Sequence, residues 1–394
     1  MFENIIGHQQ TTRALERDLH ESSLPPSLLI TGPRYSGKGS IALELARGLT
    51  CREDRRWGCN CHSCRLQRGL QHHDTLMLGH RYFDLEVRAS IEAFRREPRA
   101  GTAFLLVRAV RKLLRRFDPV LLSDSRAKKT ASVVAKVEEA LEELEPTEGR
   151  ADGWQHRTEK ELTAQLANLE SLVAAAQQQL THDPVPVDAV RAIASWAHLS
   201  STTGVKVAII EEAHQLQEAA RNAMLKLLEE PPPGVFLILT SSRRTAMIPT
   251  LLSRLRVYAI AQRSPGEEVE VQQRIFRVQD PASPRLQDFF RRHHSAAAGW
   301  ADLAGAMIAA ARGERDRREV SLKLREQLNG VPPRSGAEYL LDALLEMLRA
   351  DVRRGETAQA REWAVLVRSY WDRIATRNVN PLATLERLLV AMTS

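Results

Sequence analysis

A chain of 394 residues is longer than one ordinary domain at roughly 150 residues each, so two or three domains with a substantial core are expected and a small disulfide-held scaffold is excluded. Its residues are 43% hydrophobic, 27% charged and only 5% aromatic. Together with abundant Ala, Leu, Glu and Arg, that composition points to a mostly helical globular chain. Lys and Arg outnumber Asp and Glu by 56 to 49, a net charge of +7 that is too modest over this length to argue for a polyanionic partner by itself.

The opening, Met1-Phe2-Glu3-Asn4-Ile5-Ile6-Gly7, has neither a basic n-region nor an apolar h-region, and no apolar run approaches a membrane span. A cytoplasmic protein with no membrane contact is expected. An amphipathic helix is predicted over Thr11-His20, then a buried strand at Ser27-Leu28-Leu29-Ile30, a Gly-rich turn and a helix through Ile41-Leu49. The turn, Gly32-Pro33-Arg34-Tyr35-Ser36-Gly37-Lys38-Gly39-Ser40, has the makings of a phosphate-binding loop. Glycines let main-chain N–H groups approach phosphate, Lys38 neutralises it, and the following helix adds its N-terminal dipole. The residue after the lysine, where a Ser or Thr hydroxyl ordinarily ligates Mg²⁺, is however Gly39, and Ser40 stands one place late. ATP or ADP with Mg²⁺ is the ligand this loop suggests, with Gly32, Gly37, Lys38, Gly39 and Ser40 as its contacts; a loop that merely packs the helix on the sheet is the alternative.

All four cysteines, Cys51, Cys59, Cys61 and Cys64, lie in one short stretch. A disulfide framework would spread them; this clustering suits four thiolates around a structural Zn²⁺, with His62 as a substitute ligand. From about 84 to 183 no strand is predicted. Its first part, near Ala103-Phe117, sets an apolar face against Arg108, Arg111, Lys112, Arg115 and Arg116. Its second part reads as two helices, through Val134, Val137, Leu141 and Leu144 and through Leu162, Leu166, Leu169, Val173, Ala176 and Leu180, joined across Pro146, Gly149 and Gly153. Steps of four and three in the second are coiled-coil spacing, so an inserted antiparallel helical hairpin is expected. Arg88 to Lys129 holds twelve Lys or Arg against four Asp or Glu, either a solvated face or a contact for DNA or an acidic partner.

Strands follow at Lys206-Ile210 and Val235-Leu239, separated by a helix over Gln217-Leu228 and the break Pro231-Pro232-Pro233-Gly234. Short apolar strands alternating with helices imply a parallel sheet covered on both faces. Glu211-Glu212 then falls at the carboxyl edge of the sheet, where nucleotide sites of doubly wound folds lie. In a working ATPase the first position is an Asp that holds Mg²⁺ and the second a Glu that orients water, so Glu211 is a departure and Glu212 a match. After Arg263 the rest reads as helical, with a further boundary near Gly313.

These residues, with Arg221-Asn222-Ala223-Met224-Leu225-Lys226-Leu227-Leu228-Glu229-Glu230-Pro231-Pro232 and Ile248-Pro249-Thr250-Leu251-Leu252-Ser253-Arg254, resemble the bacterial clamp-loader AAA+ subunits of DNA polymerase III, the delta-prime and tau/gamma family. Phe2-Glu3-Asn4-Ile5-Ile6-Gly7-His8 is similar to that family's start, and Asn378-Val379-Asn380-Pro381-Leu382 with Leu385-Glu386-Arg387-Leu388-Leu389 to its end. The resemblance implies an α/β AAA+ domain over 1–263 with a zinc module at 51–64 and the insertion at about 84–183, a helical lid over 264–312 and a helical collar over 313–394 that oligomerises. It also implies that Arg254 projects across a subunit boundary onto the γ-phosphate held by a neighbour. The family's four-cysteine spacing is eight, two and two; here the first two gaps are each one residue shorter, and Leu255 stands where the family has Cys.

Three functions compete. The first is a delta-prime-like stator that hydrolyses little or nothing, donates Arg254 to a neighbouring ATPase and helps load the sliding clamp on primed DNA, with tau/gamma and delta type subunits as ring partners. The second is a tau/gamma-like motor. The third is a non-enzymatic zinc and coiled-coil scaffold for replication or repair proteins. Gly39 and Glu211 favour the first over the second, as does the lack of an Arg in Ala298-Gly299-Trp300-Ala301-Asp302, where the motor's Gly-Ser-x-Arg-Asp sensor is sought; His214 is the motor-like exception.

Overall fold

A computed structural model describes residues 1–79, 83–146, 154, 156–180, 185–293, 297–329, 333–355, 358–376 and 379–393. Gly149, Gly153 and Asn378, singled out above, lie outside the described residues. Two units are defined by their internal contacts, 1–290 and 291–394, and each is described by itself.

The first unit opens with helix α1 (Gln9–His20), strand β1 (Ser27–Thr31), α2 (Lys38–Thr50), the short α3 (His62–Arg68) and β2 (Thr75–Gly79). Four helices follow, α4 (Phe83–Arg96), α5 (Ala100–Leu114), α6 (Asp124–Glu142) and α7 (Glu159–Gln179), then α8 (Val187–Ala197), β3 (Lys206–Glu211), α9 (Glu218–Glu229), β4 (Val235–Ser241), α10 (Pro249–Leu252), β5 (Arg256–Ala259), α11 (Pro265–Arg274) and α12 (Leu286–Arg292). The strands form one parallel sheet in the order β2-β3-β4-β1-β5. Alternate side chains of each strand enter opposite cores, as the two-residue period of a strand requires. Leu28, Ile30, Met77, Val207, Ile209 and Ile238 pack with α1 and α2. Leu29, Leu76, Leu78, Ala208, Ile210, Leu237 and Leu239 pack with α8 and α9. Both faces being covered explains why the central strands are nearly all apolar.

Strands β2 and β5 are absent from the sequence reading. Thr75-Leu76-Met77-Leu78-Gly79 has no β-branched run and no alternation; it is a strand because its register with Val207–Glu211 satisfies both backbones. β5 is a four-residue edge strand with two exposed positions, Arg256 and Ala259, too short for a periodic signal.

The inserted helices have a core of their own, in which Phe94, Leu106, Val110, Leu113, Val137, Leu141, Leu144, Leu166 and Leu169 are fully buried. α6 and α7 run antiparallel: Arg126 near the start of α6 donates to the Gln179 carbonyl at the end of α7 at 3.0 Å, while Arg157 before α7 reaches Glu143 after α6 at 2.8 Å. α7 starts at a capping box in which Thr158 and Glu161 satisfy each other's main-chain N–H groups. The buried positions Leu166, Leu169, Val173 and Ala176 keep the three-and-four spacing.

In the second unit α13 (Ala297–Ala311), α14 (Arg317–Asn329), α15 (Pro333–Arg354), α16 (Ala358–Thr376) and α17 (Pro381–Met392) enclose one apolar core that includes Met307, Leu324, Leu344, Leu348, Val367 and Leu388. Asn380 caps α17 by accepting from the Ala383 N–H at 3.1 Å. No described helix is long and apolar enough to cross a membrane.

Candidate functional site

The loop between β1 and α2 is held in place from three sides. His8 sets its Nε2 against the Ser36 carbonyl at 2.7 Å, Ser36 donates to the Pro33 carbonyl at 2.6 Å, and the buried Arg263 donates to the carbonyls of Ile6 and Tyr35, both at 2.9 Å. Burial, and then the charge of Arg263, hold the His8 imidazole below its ordinary pKa. Gly37 caps α2 at φ 91°, in the left-handed region, and a Cβ there would come within 2.5 Å of the Arg263 guanidinium; no other residue fits this place without strain. Lys38 is 6% exposed. Its ammonium donates to the carbonyls of Gly32 and Pro33 at 2.9 and 2.7 Å and lies 3.8 Å from Glu212. Gly39 brings no hydroxyl to the first turn, and Ser40 is exposed.

The carboxylates at the end of β3 have separate environments. Glu211, 6% exposed, is paired with Arg116, which the insertion delivers from a short 3-10 turn after α5. Glu212 adopts the left-handed conformation at φ 51° and accepts from the Ser242 N–H and hydroxyl at 2.9 and 2.6 Å. Burial alone would raise the pKa of Glu212, but Lys38, the Ser242 hydroxyl and His214 outweigh it and hold the carboxyl below its usual range. His214, 3.4 Å from Glu212 and 3.1 Å from the Ser241 hydroxyl, is kept below its ordinary pKa, chiefly by burial. A cavity of about 530 Å³ opens over these groups, lined by Lys38, Gly39, Ser40, Glu211 and Glu212 and walled by α5 of the insertion and by residues of α11 and α12. Tyr35 of the loop stacks on Phe290 of α12 with centroids 5.2 Å apart.

The four cysteine sulfurs converge. Each lies within 4.8 Å of the others, and those of Cys51 and Cys59 are 3.7 Å apart. Tetrahedral zinc with Zn–S near 2.3 Å separates its sulfurs by about 3.8 Å, so the donor set fits that ion. The single residue between Cys59 and Cys61 is accommodated because Cys61 is the extended N-cap of α3, where its sulfur accepts the Cys64 N–H at 3.4 Å. Burial pushes the Cys59 thiol up to about 11 and Cys64 higher still. Burial also acts to raise Cys61, but main-chain N–H groups of Arg52 and Cys64 overcome it and bring that thiol to about 7. Arg47, 1% exposed, donates to Cys64 Sγ at 3.1 Å while held by Glu44 at 2.6 Å and by the Arg55 carbonyl at 2.9 Å. It orients the Cys64 sulfur and would offset the charge of a thiolate there, as groups next to metal ligands do.

Arg254 stands just beyond α10. Its guanidinium donates to Glu229 at 2.6 Å and to the Thr250 carbonyl at 2.9 Å, with about a third of the side chain exposed. The described lining of the cavity does not include it.

The basic stretch from Arg88 to Lys129 is not one solvated or DNA-facing surface. Arg108 donates to the Arg68 carbonyl, Arg111 makes a bidentate pair with Glu145 at 2.7 Å, Lys112 pairs with Glu86, Arg115 bonds the Thr75 carbonyl, and Arg116 takes Glu211. Five of the twelve cations therefore turn inward, because α5 is sandwiched between the sheet domain and the α6–α7 hairpin. Arg116, Arg263 and Arg47 went unrecognised in the sequence. Each is an arginine whose partner lies 95, 257 or 17 positions away, and no local pattern marks such a pair.

A parallel sheet in this strand order, a phosphate loop leading from β1 into α2, and paired carboxylates closing β3 define an α/β AAA+ P-loop domain followed by helices. The family described as "DNA polymerase III, delta subunit" matches residues 7–143 and 162–264, well over half the chain, and the protein belongs to that family, a clamp-loader family of DNA replication. It is 36% identical over 86 residues to DNA polymerase III subunit delta′ of Haemophilus influenzae and 37% identical over 86 residues to that of Escherichia coli K12. Those segments are 22% of this chain and 26% and 25% of the two relatives, so the match spans about a quarter of their length. A DNA polymerase III gamma subunit-related protein of Thermotoga maritima superposes with a TM-score of 0.41 at 14% identity, covering 97% of this chain and 98% of that one, a likeness too weak to bear on function.

Proposed function

We propose that this chain is the stator of a clamp loader: a subunit that does not hydrolyse ATP itself and donates Arg254 to the ATP site of a neighbouring subunit while the sliding clamp is loaded on primed DNA. The observation that carries the reading is the state of the hydrolytic groups. Magnesium in P-loop ATPases is held by a loop hydroxyl and an acidic residue at a strand end. Here the hydroxyl position is Gly39 and the strand-end carboxylate, Glu211, is already paired with Arg116. Arg254, by contrast, is exposed, outside this chain's own cavity lining, and rests on Glu229 in a contact that a γ-phosphate can replace. Its ring partners are tau/gamma and delta type subunits. Arg254→Ala is expected to leave assembly intact and to reduce ATP hydrolysis at the one site it serves by a factor on the order of 10³, the lower end for arginine fingers. Unchanged single-turnover hydrolysis in the reconstituted complex refutes the assignment, and ATPase activity of the isolated chain that disappears in Lys38→Ala establishes the motor reading instead.

Cys51, Cys59, Cys61 and Cys64 hold a structural zinc that fixes the connection from α2 to α3; with four protein ligands it has no open position for catalysis. Metal analysis of the purified chain is expected to return one equivalent of zinc, and chelation to lower the melting temperature. A zinc-free chain with an unchanged melting temperature counts against it.

A further inference from the structure

Glu86, Glu211 and Glu212 are the carboxylates among the described residues that line the cavity, and each already has a cation of the protein beside it. Glu211 pairs with Arg116, Glu86 with Lys112, and Glu212 lies 3.8 Å from Lys38. Arg116 and Lys112 both come from the inserted segment. Arg116 is 7% exposed and its guanidinium lies over the Phe83 ring, 5.4 Å from the centroid, so it is fixed at Glu211 by packing as well as by charge. A divalent cation approaching Glu211 meets a carboxylate already neutralised and a guanidinium that repels it, with no hydroxyl at Gly39 to complete its shell.

A phosphate chain meets the opposite field. Cations of the described lining outnumber carboxylates by seven to three. Outside that lining Arg274 and Arg277 also pair with Glu270 and Glu97, and Arg263 faces Glu267 and Glu268. The loop's glycines and the N-terminus of α2 offer main-chain N–H groups at one end. Tyr35, Phe104, Phe276 and Phe290 add aromatic wall that a flat base can pack against, and about 530 Å³ is a volume typical of small-molecule sites.

We propose that this cavity binds a nucleoside di- or triphosphate without a divalent metal, Arg116 of the insertion supplying at Glu211 the positive charge that a metal supplies in hydrolysing P-loop proteins. The inference concerns this chain's own cavity and does not depend on what Arg254 does. The probe is a fluorescent N-methylanthraniloyl ADP, titrated into the full chain in excess EDTA and again in excess Mg²⁺. Wild-type affinities in the two buffers should agree within about threefold, whereas Arg116→Met, which removes that positive charge from Glu211, should bind about tenfold more weakly in EDTA and recover in Mg²⁺. The double variant Arg116→Met with Glu211→Gln should lose that metal dependence again, which separates a charge effect from damage to the fold. Wild-type binding that requires Mg²⁺, no binding in either buffer, or equal affinities for Arg116→Met in both buffers overturns the proposal. Absence of binding would still leave the stator reading standing, since that is decided by Arg254→Ala in the assembled complex.

Discussion

His72 shows what burial does to a single group in this fold. Its ring sits between the Ser63 hydroxyl at 2.9 Å and the Asp74 N–H at 3.1 Å, so both nitrogens are used without a proton to spare. Burial is the main cause that pulls its pKa from 6.5 down to about 4. Between those values the unfolded chain takes up the proton and the folded one does not, so the stabilisation is complete above about pH 6.5 and is lost as the pH falls toward 4. Between pH 7.5 and pH 5 the wild type should lose about 2 kcal/mol of unfolding free energy beyond the loss in His72→Gln. Denaturant titrations with parallel pH profiles for the two proteins would contradict this. Asp74, next to it, behaves oppositely: burial would raise its carboxyl, but donors from Thr202, Thr203 and Ser201 prevail and hold it low. Neither residue carried a signal in the sequence, because the donors to Asp74 arrive from a loop more than a hundred positions away.

At the level of elements, legibility follows how local each determinant is. α2, α7 and α9 were read near their true extents because helical periodicity is written within one segment. β1, β3 and β4 were read because strands buried on both faces are apolar throughout. β2 escaped because pairing with β3, not its own composition, makes it a strand. The α6–α7 hairpin was readable from its three-and-four spacing, and its stability should depend on that seam. Leu169 is fully buried there, so Leu169→Ala is expected to cost about 2–5 kcal/mol, measurable as a shift of the denaturation midpoint. A cost below the effect of a surface substitution would mean the helices do not need each other. The same hairpin closes over α5 through the Arg111 and Glu145 pair, which links an apparently peripheral insertion to the helix that walls the cavity.

For the whole molecule, a net charge of +7 gave no useful direction, since five of the twelve cations that concentrate between Arg88 and Lys129 serve internal carbonyls and carboxylates. The stator reading also sets its own magnitude at this scale. If Arg254 acts as proposed, one such residue would serve one neighbouring site, so in a ring with several hydrolysing subunits its loss should abolish turnover at a single site, and single-turnover experiments will show the effect more clearly than steady-state rates. The first unit holds the loop, the carboxylates, the cysteine cluster and Arg254, while the second contributes a separate helical core.

The sequence by itself determined the class of fold, the phosphate loop with its missing hydroxyl, the position of the two carboxylates and the clustering of four thiols, because glycine geometry, apolar periodicity and ligand spacing are all local. Tertiary structure alone decided that the sulfurs converge within 4.8 Å, that β2 is a strand, and that Arg116 pairs with Glu211 across 95 positions of chain. An arginine in a charged stretch looks the same whether it faces water or a buried carboxylate, and only packing the insertion against the sheet distinguishes the two.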